Sequence, residues 1–113
     1  MHFSLIDVKI SESIINQEPH CMIINSLEEF HKLSIVPIND MIDKSFFETN
    51  SLISVLYFDG SVPKRTIKNV SLVGNDIVVS TNKEDITFST MDYRAHYFLI
   101  KILKTNLANC LLK

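Results

Sequence analysis

Apolar and polar positions alternate at the start of the chain: Ile6, Val8 and Ile10 fall between Leu5, Asp7 and Lys9. A period of two predicts a half-buried strand over about residues 3–11, with Ile6, Val8 and Ile10 facing inward. Polar residues from Ser11 to His20, closing with Pro19, read as a loop, and the compact apolar run Cys21–Asn25 reads as a short, fully buried strand. Ser26 followed by Glu29 forms a capping box, in which the hydroxyl takes an orphan amide of the first helical turn. The helix it starts carries Leu27, Phe30 and Leu33 on one stripe, trailed by Ser34 and Val36, until Pro37 stops it. Further on, Asp43-x-x-Phe46-Phe47 predicts a short capped helical turn that lowers two rings onto the sheet.

From residue 51 the pattern is that of strands: Leu52–Asp59, Arg65–Val73, Asp76–Thr81, Asp85–Ser89 and Tyr93–Lys104. Gly60 and Gly74-Asn75-Asp76 supply turn residues that accept positive φ cheaply, which predicts antiparallel pairing of consecutive strands. Leu52 to Phe58 and Tyr97 to Ile102 are apolar on both faces, so these two strands belong at the centre of a sheet covered on both sides. Ile77 and Val79, and likewise Ile86 and Phe88, alternate with polar residues as strands with one wet face do. The expected fold is α+β and predominantly β: an antiparallel meander, a sandwich or a partly closed barrel, with one helix in the N-terminal half and a short second helical turn.

Composition narrows the picture. A chain of 113 residues that is 46% hydrophobic can fill one core, so a single domain over residues 1–113 is expected. Eleven basic residues against thirteen acidic ones leave a net charge of -2, where a nucleic-acid binder carries a basic excess. Only Arg65 and Arg94 carry the guanidinium fork suited to phosphate, which weakens that class further. No apolar run approaches the roughly 20 residues of a membrane-spanning helix, and the start Met1-His2-Phe3-Ser4 lacks the features of an export signal, so a cytoplasmic protein is expected. Cys21 and Cys110 both lie among apolar neighbours and read as buried free thiols in preference to a disulfide, the alternative.

Catalytic chemistry has little to stand on. With only two glycines, neither a phosphate-binding loop nor a dinucleotide fingerprint can be written. No G-x-S-x-G elbow singles out a serine, and His20, Cys21, His31 and Cys110 lack metal-ligand spacing. Glu28 and Glu29 diverge by about 100° on a helix and cannot converge on one bond. No cofactor, metal or catalytic residue is expected.

Two surfaces stand out as partner-binding candidates. Asp92-Tyr93-Arg94-Ala95-His96-Tyr97 mixes aromatic rings, arginine and imidazole as interface hot spots do, and Tyr93, Arg94 and His96 are its candidate contacts. Alternation there sets Arg94 and His96 on one face and Tyr93, Ala95 and Tyr97 on the other. The polar turn from Asp59 to Arg65, with Lys64 beside Arg65, is the second candidate.

The strings Asp43-x-x-Phe46-Phe47-Glu48-x-Asn50-Ser51-Leu52-Ile53 and Tyr97-Phe98-Leu99-Ile100-Lys101-Ile102-x-Lys104 also carry a resemblance. With the Ser26-x-Glu28-Glu29-Phe30 helix and the central strands, residues 20–104 resemble the PrcB-like C-terminal domain of bacterial protease-complex accessory proteins. The resemblance implies a small β-rich domain for protein assembly or interaction and supplies no catalytic residue. The expected function is therefore a protein-binding module, an inhibitor or accessory factor for a larger bacterial protein, encoded by a bacterium or a phage. The alternatives are a homo-oligomer, such as a homodimer, packed through Leu107, Ala108, Leu111 and Leu112, and a small-molecule binder using the Tyr93, Arg94 and His96 face.

Overall fold

The computed structural model describes residues 2–9, 18–33, 35–38, 41–59, 65–83 and 94–113. Among them the chain runs β1 (Ser4–Ile6), β2 (Val8–Lys9), β3 (His20–Ile24), α1 (Leu27–His31), β4 (Val36–Pro37), α2 (Phe46–Thr49), β5 (Asn50–Asp59), β6 (Arg65–Val73), β7 (Asp76–Lys83), β8 (Arg94–Leu103) and β9 (Asn109–Leu112). The fold is α+β and predominantly β, as the alternation predicts, and its sheets do not close into a barrel.

The two strands that are apolar on both faces lie side by side. β5 and β8 pair antiparallel from Asn50↔Leu103 to Asp59↔Arg94, with β1 beyond β8 and β3 beyond β5. Adjacent residues of β5 therefore enter different cores. Leu52 joins Ile6, Ile24, Phe30, Leu33, Ile35, Phe47 and Leu99 under the two short helices. Ile53, Val55 and Tyr57 join Ile100 and Ile102 against Val70, Ile77 and Val79 of a second sheet, ordered β6-β7-β9. One sheet is thus shared by two cores, covered by helices on one side and by strands on the other.

The meander expectation is corrected by this order. Among the described residues only β6 and β7 form a hairpin of consecutive strands, Val73↔Asp76 closing over Gly74-Asn75 with Gly74 at φ 62. β5 and β6 belong to different sheets, so the segment between Asp59 and Arg65 joins two layers rather than two neighbours. Alternation reports which side of a strand is wet; it carries no information on which strand lies beside it. Ile10, Gly60 and the expected 85–89 strand lie outside the described residues.

Local signals were read with mixed accuracy. Ser26 caps α1, its Oγ accepting from the Glu29 amide at 3.2 Å. The helix ends at His31, however, and the chain turns into β4, where Val36 pairs with Lys9 and is exposed while Ile35 takes the core position. Five helical residues are too few to carry the stripe as far as Val36, and tertiary pairing decides the rest. Asp43 caps α2 as expected: its Oδ1 accepts from the Phe46 amide at 3.0 Å and from Ser45 Oγ at 2.7 Å. These donors hold its carboxyl below the usual range. β3 was expected to be fully buried, but it lies at the end of the first sheet and Met22 is exposed.

Cys21 and Cys110 are joined in a disulfide, with Cα atoms 5.7 Å apart, which corrects the reading as free thiols. Both readings bury the sulfurs against apolar neighbours; only the long-range placement of β9 beside the second core brings the two strands together. The apolar tail is covered in part within the chain, while Ala108 and Leu111 stay exposed. Leu107, Cys110 and Leu112 pack on the second core, and β9 runs parallel to β7 from Asp76↔Asn109 to Val79↔Leu112. No helix among the described residues is long and apolar enough to cross a membrane.

Candidate functional site

One residue of each candidate surface, Asp59 and Arg94, lies at the same end of the central sheet. Asp59 and Arg94 are directly opposed in the β5–β8 ladder, and Tyr57 and His96 are opposed two positions further in. The Tyr57 and His96 rings stack with centroids 5.0 Å apart and planes 14° from parallel, and Phe98 continues the stack at 6.2 Å from Tyr57. Arg65 begins β6, in the other sheet. Asp59, Arg65 and Arg94 are placed by their backbone positions, and Lys64 and Tyr93 lie outside the described residues. His96 shares its face with Phe98 and Tyr97 lies on the opposite one, which agrees with the alternation read from the sequence.

A polar row on the helix-covered face was not anticipated. His20 of β3, Ser54 of β5 and Tyr97 of β8 cross three neighbouring strands: His20 Nε2 lies 2.8 Å from Ser54 Oγ, and Ser54 Oγ lies 2.9 Å from Tyr97 Oη. The direction of the protons follows from the far end. His20 Nδ1 lies 3.1 Å from the Glu18 carbonyl, which can only accept, so in the neutral ring Nδ1 carries the hydrogen and Nε2 accepts. Ser54 must then donate to His20, and its lone pair accepts from the Tyr97 hydroxyl. Burial pushes the Tyr97 phenol up to about 12, against the smaller opposing effect of the Ser54 hydrogen bond.

A serine donating to a histidine is also the geometry of an activated nucleophile. Ser54, however, is fully buried and its oxygen is already engaged on both sides. The row acts as a cross-strand tie that satisfies three polar groups in an apolar sheet. One signal was available in the sequence: Ser54 is the lone hydroxyl between Ile53 and Val55 in a strand apolar on both faces. Such a residue demands a polar partner from the strands on either side.

Surface cavities of about 440, 260 and 210 Å³ lie elsewhere. The largest sits between the start of α1 and α2, bounded by Asn25, Leu27, Lys44 and Phe47. His96 is not among the described residues that line any of the three. Among the described residues, no three His, Cys, Asp or Glu side chains gather where they could hold one metal ion. Comparison of the chain with family models, curated proteins and solved structures finds no match in any of the three.

Proposed function

We propose that this chain is a small protein-binding module, an inhibitor or accessory factor for a larger bacterial protein, that engages its partner with the Asp59–Arg94 end of the central sheet. One observation supports the reading: Asp59 and Arg94, which belong to two stretches singled out separately in the sequence, face each other across the β5–β8 ladder, with His96 two positions further in. Arginine and aromatic residues carried on paired strands suit recognition of an acidic or mixed protein surface. The resemblance to the PrcB-like C-terminal domain supports the same class, without a catalytic role. The module works in the cytoplasm in this reading, a compartment in which the disulfides that form are usually transient or redox-sensing.

The test is affinity capture from bacterial lysate at low salt, with wild-type chain beside Arg65→Glu and Arg94→Glu. A stoichiometric partner whose recovery falls at least tenfold with either charge reversal, at unchanged circular dichroism, is the expected result. Equal recovery by all three chains would remove this end of the sheet from the interface.

A further inference from the structure

A second surface, distinct from the Asp59–Arg94 end, is covered by the chain's own last strand. β9 is four residues long, lies at the end of the second sheet, and leaves Asn109 and Leu111 exposed. Its backbone continues the ladder beyond the strand: Lys113 N–H donates to the Val79 carbonyl at 2.8 Å, and Thr81 N–H donates to the Lys113 carbonyl at 3.0 Å. The segment that leads to it is fixed as far as Leu107. The Lys104 amide donates to the Thr49 carbonyl, the Thr105 amide to Ser51 Oγ, and the Leu107 amide to Thr105 Oγ. Residues 108–113 are thus a short arm on a fixed base, held by a short parallel ladder and by the Cys21–Cys110 bond to the other sheet.

The strand beneath the arm is suited to take another in its place. From Ile77 to Thr81, β7 has no charge, no proline and no bulge, and Ile77, Val78 and Val79 are all buried. The opposite edge of the same sheet is different: β6 has a register shift between Ile67 and Asn69, with Lys68 at the irregularity. Bulges and lysines are the devices that discourage strand addition, and among the described residues β7 has only β9 in that role.

We propose that the Cys21–Cys110 bond is a redox latch: its reduction frees residues 108–113 and opens the edge of β7 to an extended peptide that adds as a parallel strand. The occupant's chemistry is set by what β9 places there. A small residue at the position of Cys110 and an aliphatic one at the position of Leu112 face the core, and the intervening position faces out. Opening requires a dithiol reductant. Its thiolate attacks one sulfur of the pair, and its second thiol resolves the mixed disulfide. Cys21 and Cys110 each gain one electron and one proton, and the reductant leaves as a disulfide. Both cysteines are half-buried rather than sealed, which leaves a route for attack.

Amide exchange by NMR on the full chain tests the latch, comparing the oxidised chain, the chain reduced with dithiothreitol, and Cys110→Ser. Exchange at Thr81 and Lys113 should rise at least tenfold in the two latter states while Ile53 and Ile100 stay protected. A synthetic peptide Ala-Asn-Ser-Leu-Leu-Lys should then shift the Thr81 resonance in the reduced chain and in Cys110→Ser, with at least tenfold weaker binding to the oxidised chain. Unchanged protection at Thr81, loss of protection throughout the sheet, or equal peptide binding to both redox states would each overturn the proposal. So would dimerisation of the reduced chain by exchange of its own arm, seen by light scattering.

Discussion

The two faces of the central sheet solve the same problem with different materials. Toward the second sheet, Ile53, Val55, Ile100 and Ile102 meet Val70, Ile77 and Val79, so branched side chains on one pleated surface interlock with those on another. Toward the helices, Leu52 and Leu99 meet Phe30, Phe47, Leu33 and Ile35, larger side chains dropped from two short helical pieces and the chain between them. The Phe46 and Phe47 rings meet edge to face at 5.2 Å, and Phe30 is tilted against Phe47 at 6.5 Å. A strand-covered face is held by ladders over its whole length. A face covered by helices of four and five residues depends on a few anchors and their caps.

The sharpest way to break this comparison is to truncate neighbours that point in opposite directions. Leu52 and Ile53 are adjacent in β5 and both wholly buried. The cost of such a truncation runs from about 2 to 5 kcal/mol, according to how far the surroundings can close over the cavity. The sheet-on-sheet side cannot close without breaking ladders, so Ile53→Ala should cost about 4–5 kcal/mol, near the top of that range. Leu52→Ala, under rings carried by two short helical turns, should cost about 2–3 kcal/mol. Urea denaturation of both variants measures the gap, and equal losses would show the helix cover to be as rigid as the sheet.

How much of this was legible beforehand depends on the range of the interaction. The segment Arg65–Val73 has the bounds its pattern predicts, and the strand expected to end at Lys104 ends at Leu103, because alternation and flanking turn residues are local. The double-faced character of β5 and β8 correctly placed both at the centre. What could not be read was that they are neighbours, since face and partner are separate pieces of information. The same gap hid the Cys21–Cys110 bond, whose ends are 89 residues apart, and the His20–Ser54–Tyr97 row, which needs three strands in order. At the candidate site the residues were legible as two separate stretches. That Asp59 faces Arg94 was not, because it follows from β5–β8 pairing.

The polar row makes the helix-covered face dependent on pH. Ser54→Ala leaves the Tyr97 hydroxyl without its acceptor and His20 Nε2 without its donor, and a buried group so orphaned costs roughly 1–3 kcal/mol. About 2 kcal/mol is expected, because His20 is only half-buried and water can replace its partner. Tyr97→Phe in the Ser54→Ala background should restore part of the loss. The phenol also has a distinct signature: its pKa is raised from 10.0 to about 12 in the folded chain, so the native state holds that proton more tightly than the unfolded state. Its contribution is complete below pH 10 and is lost as pH rises toward 12, an effect of about 2–3 kcal/mol. Subtracting the Tyr97→Phe stability profile from that of the wild type isolates this slope, and a flat difference above pH 10 would place the hydroxyl in water.

The smallest effect probes the cover itself. Ser26 holds the first turn of α1 through the Glu29 amide, and α1 presents Phe30 to the core below. Replacing a capping serine by alanine costs about 1 kcal/mol when the helix is retained for other reasons. A five-residue helix has no reserve of propagation to offset a lost cap. Ser26→Ala should therefore cost about 1 kcal/mol globally and also loosen Phe30 locally, with faster amide exchange at Phe30 and Leu33 and none at Ile77 or Val79. That asymmetry separates the two faces by dynamics rather than by stability. If Ile77 and Val79 quicken together with Phe30, the two cores open as one unit and the shared sheet transmits what the cap loses.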